Sequence, residues 1–318
     1  MQRPADSITI QFNEQSVEVE RILGDIRSES KGNTVFLIAG MHGNEPLGIL
    51  AIKKVLDQIH RDGMATRGRI FAVVGNLEAS RITQRYLYKD LNRVWTRENI
   101  DSLHYGKLDL RHTEYREMKL LYDNLQELIS TADGELFVTD LHTTSGATIP
   151  FVVTNKLEKC KEFCLKFPMP SISGLTGFLD GTFLSYVNEL GHVGLAYEAG
   201  QHSSELSYTR FESFIWLTLF HAGVLTDADE DFVRFHEHAL VEELTTRTNA
   251  FKIVSRYKIE EGEEFVMEPG YVNFQRIHQG EILATNKYGP ILSPYDGFIF
   301  MPLYQKMGED GFFIIKPD

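Results

Sequence analysis

The stretch that most constrains this chain is the apolar run Thr34-Val35-Phe36-Leu37-Ile38-Ala39, which stops at Gly40-Met41-His42-Gly43-Asn44-Glu45-Pro46. A continuous run of this length reads as a strand buried on both faces of a central sheet. Pro46 suits a first helical position, and Ile49, Ile52, Val55, Leu56 and Ile59 follow at helical spacing. Strand, loop and helix in that order place a His and a Glu, three positions apart, at the carboxyl end of a buried strand. Functional groups of open α/β sheets gather at such ends, and the pair reads as half of a zinc site. A catalytic zinc usually takes three protein ligands and leaves a fourth position to water, so a third ligand has to come from elsewhere in the chain.

Three more strands follow the same logic. Residues 69–76 form a second buried run, which leads into an arginine-rich polar segment containing Arg85, Asp90, Asn92 and Arg93. Residues 114–130 carry Tyr115, Met118, Leu121, Tyr122, Leu125, Leu128 and Ile129 on one helical face and read as structural. A third strand, residues 135–142, ends in His142 followed by Thr143, Thr144, Ser145 and Gly146, which makes His142 the natural third ligand. Strand alternation puts Asp140 on the same face as His142, where a carboxylate can orient a ligand or a neighbouring arginine. A fourth strand, residues 193–200, ends with Glu198 and Gly200. Two imidazoles and one carboxylate suit Zn²⁺, and a second carboxylate at a strand end can take the proton of an attacking water. Singly, each of these residues has an ordinary alternative as a structural or solvated loop group.

Length and composition bound the rest. The 318 residues, 42% hydrophobic and 24% charged, suffice for one large domain and a small one. Two helical patterns cover about 205–225 and 230–245, whereas beyond Asn249 short alternating strands and turns take over. This predicts an α/β domain at 1–248 and an appended β-rich domain at 249–318. Residues 7–30 read as two short strands turning near Asn13-Glu14, at an edge of the main sheet. A formal charge of −13 without a basic stripe argues against a nucleic-acid binder. No apolar run reaches the roughly 20 residues of a membrane span, and no secretory h-region precedes the first strand, so a cytoplasmic location is expected. Cys160 and Cys164 are too few for a disulfide framework and read as a buried thiol pair. The expected partner is a small-molecule substrate, with neither nucleic acid nor membrane; assembly into a homo-oligomer is left open.

Four segments together, Gly40-Met41-His42-Gly43-Asn44-Glu45, Asp90-Leu91-Asn92-Arg93, Asp140-Leu141-His142-Thr143-Thr144 and Tyr197-Glu198-Ala199-Gly200, resemble the succinylglutamate desuccinylase/aspartoacylase family. The likeness spans roughly residues 34–200. It implies a zinc-carboxypeptidase-like fold, with a central mixed β-sheet flanked by helices and a smaller C-terminal all-β domain. It also implies one Zn²⁺ at His42, Glu45 and His142, with Glu198 as general base and proton shuttle. By the same resemblance Arg85 faces the polarised carbonyl and developing oxyanion, Asn92 and Arg93 hold a substrate carboxylate, and Tyr304 is the tail tyrosine that the family can lend to the pocket. Asp90 belongs to the Asn92-Arg93 motif and, like Asp140, is an acid that could instead pair with Arg93. One departure is visible: aspartoacylases proper carry a further arginine about ten residues before the catalytic Glu, where this chain has Ser185-Tyr186-Val187-Asn188-Glu189.

The leading expectation is therefore a zinc-dependent amidohydrolase that deacylates an N-acyl amino acid or similar small carboxylate. A metallocarboxypeptidase acting on short peptides could use the same ligands, and a tail that caps the site would exclude long peptides. The tail turns at 279–283 and 293–297 also resemble those of biotinyl- or lipoyl-like modules, but Lys306-Met307 lacks the setting of a hairpin-tip acceptor.

Overall fold

The computed structural model describes residues 6–13, 15–155, 157–202, 204–241, 250–305 and 308–318. The chain opens with β1 (Ser7–Phe12), β2 (Gln15–Glu20) and β3 (Ile22–Arg27), followed by β4 (Thr34–Ala39), α1 (Leu47–Asp62) and β5 (Arg69–Val74). Next come α2 (Leu77–Arg81), a 3-10 turn at Leu91–Arg93, α3 (Arg97–His104), α4 (Thr113–Thr131) and β6 (Leu136–Thr144). Short elements alternate after that: β7 (Phe151–Val153), α5 (Glu158–Cys164), β8 (Ser171–Ser173) and α6 (Phe183–Glu189). The long strand β9 (Val193–Gln201) precedes α7 (Glu205–His221) and α8 (Glu230–Val241). The tail consists of β10 (Ala250–Lys258), β11 (Val266–Met267), β12 (Arg276–Ile277), β13 (Ile282–Asn286), β14 (Gly289–Leu292), β15 (Gly297–Phe300) and β16 (Asp310–Pro317).

Eleven of the described strands form one mixed sheet, in the order β12-β15-β16-β10-β8-β7-β9-β6-β4-β5-β3. Its centre is parallel, β5-β4-β6-β9, and the flanking pairs β3·β5 and β7·β9 are antiparallel. The period of two along β4 builds both layers. Val35, Leu37 and Ala39 pack with α1, α5 and α7, whereas Phe36 and Ile38 pack with α3, α4 and α6. All six β4 residues are buried, which explains why the sequence shows an unbroken apolar run rather than alternation. The expected α/β architecture with a β-rich tail is thus present.

The N-terminal segment differs from expectation. It holds three strands, and only β3 forms the sheet edge; β1 and β2 pair with each other in a separate two-stranded sheet. The reason is burial: Ile8, Ile10 and Val19 turn inward onto the core beside α1 and α7. The tract 101–113, which lacks apolar periodicity, begins inside α3 and lines no part of the cavity described below.

The expected boundary near residue 248 and Lys306-Met307 lie outside the described residues. Where the tail resumes, β10 runs parallel to β8, with Ala250, Phe251 and Lys252 opposite Ser171, Ile172 and Ser173. β10 also pairs with β16, so the main sheet continues directly into the tail. Strands β11, β13 and β14 make a separate three-stranded antiparallel sheet. No helix among the described residues is long and apolar enough to cross a membrane.

Candidate functional site

The site lies at the carboxyl ends of β4, β6 and β9. At the end of β4 the chain turns through Gly40, at φ 69°, a left-handed conformation that disfavours a side chain. Glu45 N–H then donates to His42 C=O at 3.1 Å, closing a turn that brings both side chains to one side. Gly43 fits where nothing larger could: a methyl there would overlap the Ala79 carbonyl and the Gln84 carbonyl oxygen. Its N–H donates to Arg85 C=O at 3.2 Å, which ties the ligand loop to the arginine segment.

His42, Glu45 and His142 are all buried, with ligand atoms within 4.8 Å of one another. His42 Nδ1 is 2.8 Å from Glu45 Oε1, and His142 Nδ1 is 3.2 Å from Glu45 Oε2. The outer ring nitrogens face acids: His42 Nε2 lies 3.1 Å from Asp90 Oδ1, and His142 Nε2 lies 2.8 Å from Asp140 Oδ2. Asp90 and Asp140 thus stand where carboxylates fix the tautomer and orientation of metal-binding imidazoles. Among the described residues, this donor set fits a divalent ion by its chemistry: two imidazole nitrogens and a carboxylate converge, each imidazole backed by an acid.

The electrostatics follow from burial and proximity. Desolvation opposes ionisation of Glu45, but His42 and His142 outweigh it and hold its carboxyl well below the usual range. Burial also disfavours the charged form of His142, and Asp140 with Glu45 overcomes this to raise its pKa well above the usual value. Asp90 is likewise held low against burial, by His42 and Arg85. Glu198 behaves oppositely. Burial without sufficient compensation pushes its carboxyl up to about 7. Its Oε2 is buried with no hydrogen-bond partner among the described residues. Direct register places Glu198 opposite His142 in the β6·β9 pair.

Arg85 Nη2 donates to Asp90 Oδ2 at 2.9 Å, and Nη1 lies 3.8 Å from Glu45 Oε1. Asn92 Oδ1 accepts from the Phe183 N–H at 3.0 Å, leaving its amide NH₂ as the group it can offer. Arg93 pairs with neither Asp90 nor Asp140 but with a tail acid, Asp310, whose Oδ2 is 3.0 Å from Nη2. All three residues line one cavity of about 320 Å³ together with His42, Glu45, His142 and Glu198. Tyr304 is not among the lining residues, although Leu303 and Gln305 are. Its hydroxyl donates to Glu268 C=O at 2.8 Å and accepts from Tyr271 N–H at 2.9 Å.

Two contributors were not visible in the sequence. Asp310 is one, since nothing links a residue 217 positions away to Arg93. The other is Glu114, fully buried in the first turn of α4. Its carboxylate accepts from the N–H groups of Leu87, Tyr88 and Lys89 at 2.7, 3.0 and 3.4 Å, and from Asn76 Nδ2 at 3.2 Å. It therefore sets the path of the chain between Arg85 and Asp90. The only sequence signal is a Glu at a helix start, where acids are common for another reason. Glu114→Ala leaves these donors without their acceptor and is expected to cost about 2–4 kcal/mol in urea unfolding.

Residues 31–215, more than half of the chain, match the succinylglutamate desuccinylase/aspartoacylase catalytic domain. The chain belongs to that family. It is 27% identical over 172 residues to a probable aspartoacylase from Acaryochloris marina, a stretch covering 52% of this chain and 54% of that protein. It is 30% identical over 116 residues to a succinylglutamate desuccinylase from Pseudomonas fluorescens, covering 36% of this chain and 32% of that one. The chain thus spans about half or less of the curated relatives' length. Its fold resembles the crystal structure of the succinylglutamate desuccinylase from Chromobacterium violaceum, with TM-score 0.66 and 17% identity over 92% of this chain and 88% of that one. It also resembles the product-bound ectoine utilization protein EutE from Ruegeria pomeroyi, with TM-score 0.63 and 19% identity over 98% and 93%.

Proposed function

We propose that this family member hydrolyses the amide bond of an N-acyl amino acid or similar small carboxylate, using one zinc ion held by His42, Glu45 and His142. The observation that carries the reading is the convergence of these three residues with Glu198 in one cavity at the ends of adjacent strands. Zinc, when bound, supplies a Lewis acid and lowers the pKa of water to about 7. Glu198 accepts a proton from the attacking water as the C–O bond forms, then passes it to the amine nitrogen as the C–N bond breaks. The products are a carboxylic acid and an amine. Arg85, fixed by Asp90, offers positive charge to the carbonyl oxygen, where negative charge develops in the transition state. Arg93 and Asn92 hold the substrate carboxylate through N–H donors. Asp90 and Asp140 orient the two imidazoles.

Met301, Pro302, Leu303 and Gln305 of the tail wall the cavity, which favours small substrates over long peptides. The two free, buried thiols of Cys160 and Cys164 accord with a reducing, cytoplasmic setting. The division at 1–248 and 249–318 goes with this reading as a catalytic unit and a capping unit. The test is hydrolysis by zinc-loaded protein of a panel of N-acyl amino acids and short peptides, with Glu198→Gln as blank. Cleavage of N-acyl amino acids is expected; cleavage of peptides alone would replace the reading with a metallocarboxypeptidase.

A further inference from the structure

Both arginines of the cavity are already paired. Arg85 is bound to Asp90 at 2.9 Å, and Arg93 to Asp310 at 3.0 Å. Asp310 is held in place from the other side by Arg256, whose Nε is 2.6 Å from Oδ1 and whose Nη1 donates to Phe178 C=O at 2.6 Å. Arg93 also donates from Nη1 to Asn92 C=O at 2.8 Å. These bonds use two of the five N–H groups of its guanidinium, so one substrate carboxylate can still be received there. Lys89, another cation on the wall, is exposed, where solvent screens it. Much of the remaining wall is apolar: Val153, Leu175, Leu179, Met301, Leu303 and Phe313. Val153, Leu179 and Phe313 are 9%, 6% and 1% exposed.

We propose that the substrate carries a single carboxylate and an apolar group, and that Asp310 is the specificity-determining residue that disfavours a second carboxylate. This deepens the reading above and rests on it. Among the described residues, a second carboxylate pressed against the wall would lose its water without gaining an unpaired buried cation, because Asp310 already occupies the Arg93 guanidinium. An aliphatic group instead gains with each methylene it buries. The apolar group belongs either to the acyl chain or to the amino-acid side chain, and the two sources separate by ligand choice.

The experiment is calorimetric titration of zinc-loaded Glu198→Gln protein with N-acetyl-leucine, N-hexanoyl-glycine, N-acetylaspartate and N-succinylglutamate. The expected result is that at least one monocarboxylate binds about ten-fold or more tightly than both ligands with extra carboxylates. The tighter of the first two identifies the side that carries the apolar group. Adding Asp310→Asn is expected to tighten the multiply charged ligands about ten-fold and to narrow the gap. Equal or tighter binding of the multiply charged ligands before that change overturns the inference, even if the Asp310→Asn protein does not fold. A uniform shift of all four ligands by Asp310→Asn also overturns the role of Asp310. Hydrolysis is read separately on the wild type, so a failed deacylase assignment and a failed ligand class give different results.

Discussion

Replacing Glu198 by Gln is expected to lower turnover by about 10²–10⁴-fold, the range of a positioned general base, while zinc content stays at one per chain. The substitution keeps the side chain's shape. Because Oε2 has no hydrogen-bond partner among the described residues, the amide breaks no bond at that atom. What it removes is the capacity to take a proton. The pH profile provides the second check. A base works deprotonated, and burial holds this carboxyl up at about 7 rather than in the usual carboxylate range. The kcat/KM of the wild type should therefore rise with pH through that region and level off above it, and the residual activity of the variant should lack this limb. Wild-type turnover in Glu198→Gln would remove Glu198 as the base.

The second large effect is expected at His142. Removing carboxylates behind ligating imidazoles typically costs 10- to 100-fold in metal affinity, so removing a ligand itself in His142→Ala should cost at least about 100-fold. Competition with a chromogenic chelator reads this directly. The metal-free protein should suffer as well, because Asp140 is fully buried and Glu45 only 3% exposed, and both face the lost ring. Leaving buried carboxylates without their partner costs roughly 3–5 kcal/mol. A His142→Ala protein that still held one zinc as tightly as the wild type would sink the three-ligand assignment.

These two residues were legible before any coordinates because each sits where an apolar run stops. A strand buried on both faces is apolar along most of its length, so polar residues gather toward its end, as Asp140 and His142 do in β6. His142 and Glu198 are still paired in the sheet, but they lie within the last four residues of β6 and β9, where side chains can face the crevice outside the carboxyl ends. Asp140 was legible through strand alternation, which places it behind His142. Arg85, Asn92 and Arg93 lie in an irregular segment, where no period assigns a direction; their roles came from the family resemblance. The structure brings all three to the cavity wall. Tyr304 was the weakest inference of that kind, because a tail tyrosine has no local pattern to say which way it points. Its hydroxyl is bonded to the backbone of Glu268 and Tyr271.

What the sequence by itself determined is what repeats over short distances: the buried parallel strands, the amphipathic helices, and the His and Glu residues at strand ends. Periodicity and steric limits act over a few residues, so they are written locally. Tertiary structure alone decided the rest. β7 and β8 have three residues each, too short to show a period, yet through them the main sheet reaches β10 and the tail. Only that junction brings Asp310 to Arg93 and places Met301, Leu303 and Phe313 on the cavity wall. Glu114 is likewise defined by three backbone N–H groups more than 20 positions away. Such contacts join residues far apart in the chain, and nothing in the local pattern encodes the pairing. The convergence of His and Glu residues at the strand ends can thus be read from the sequence, whereas the charge and shape of the space around them come from the way the tail strands close over the sheet.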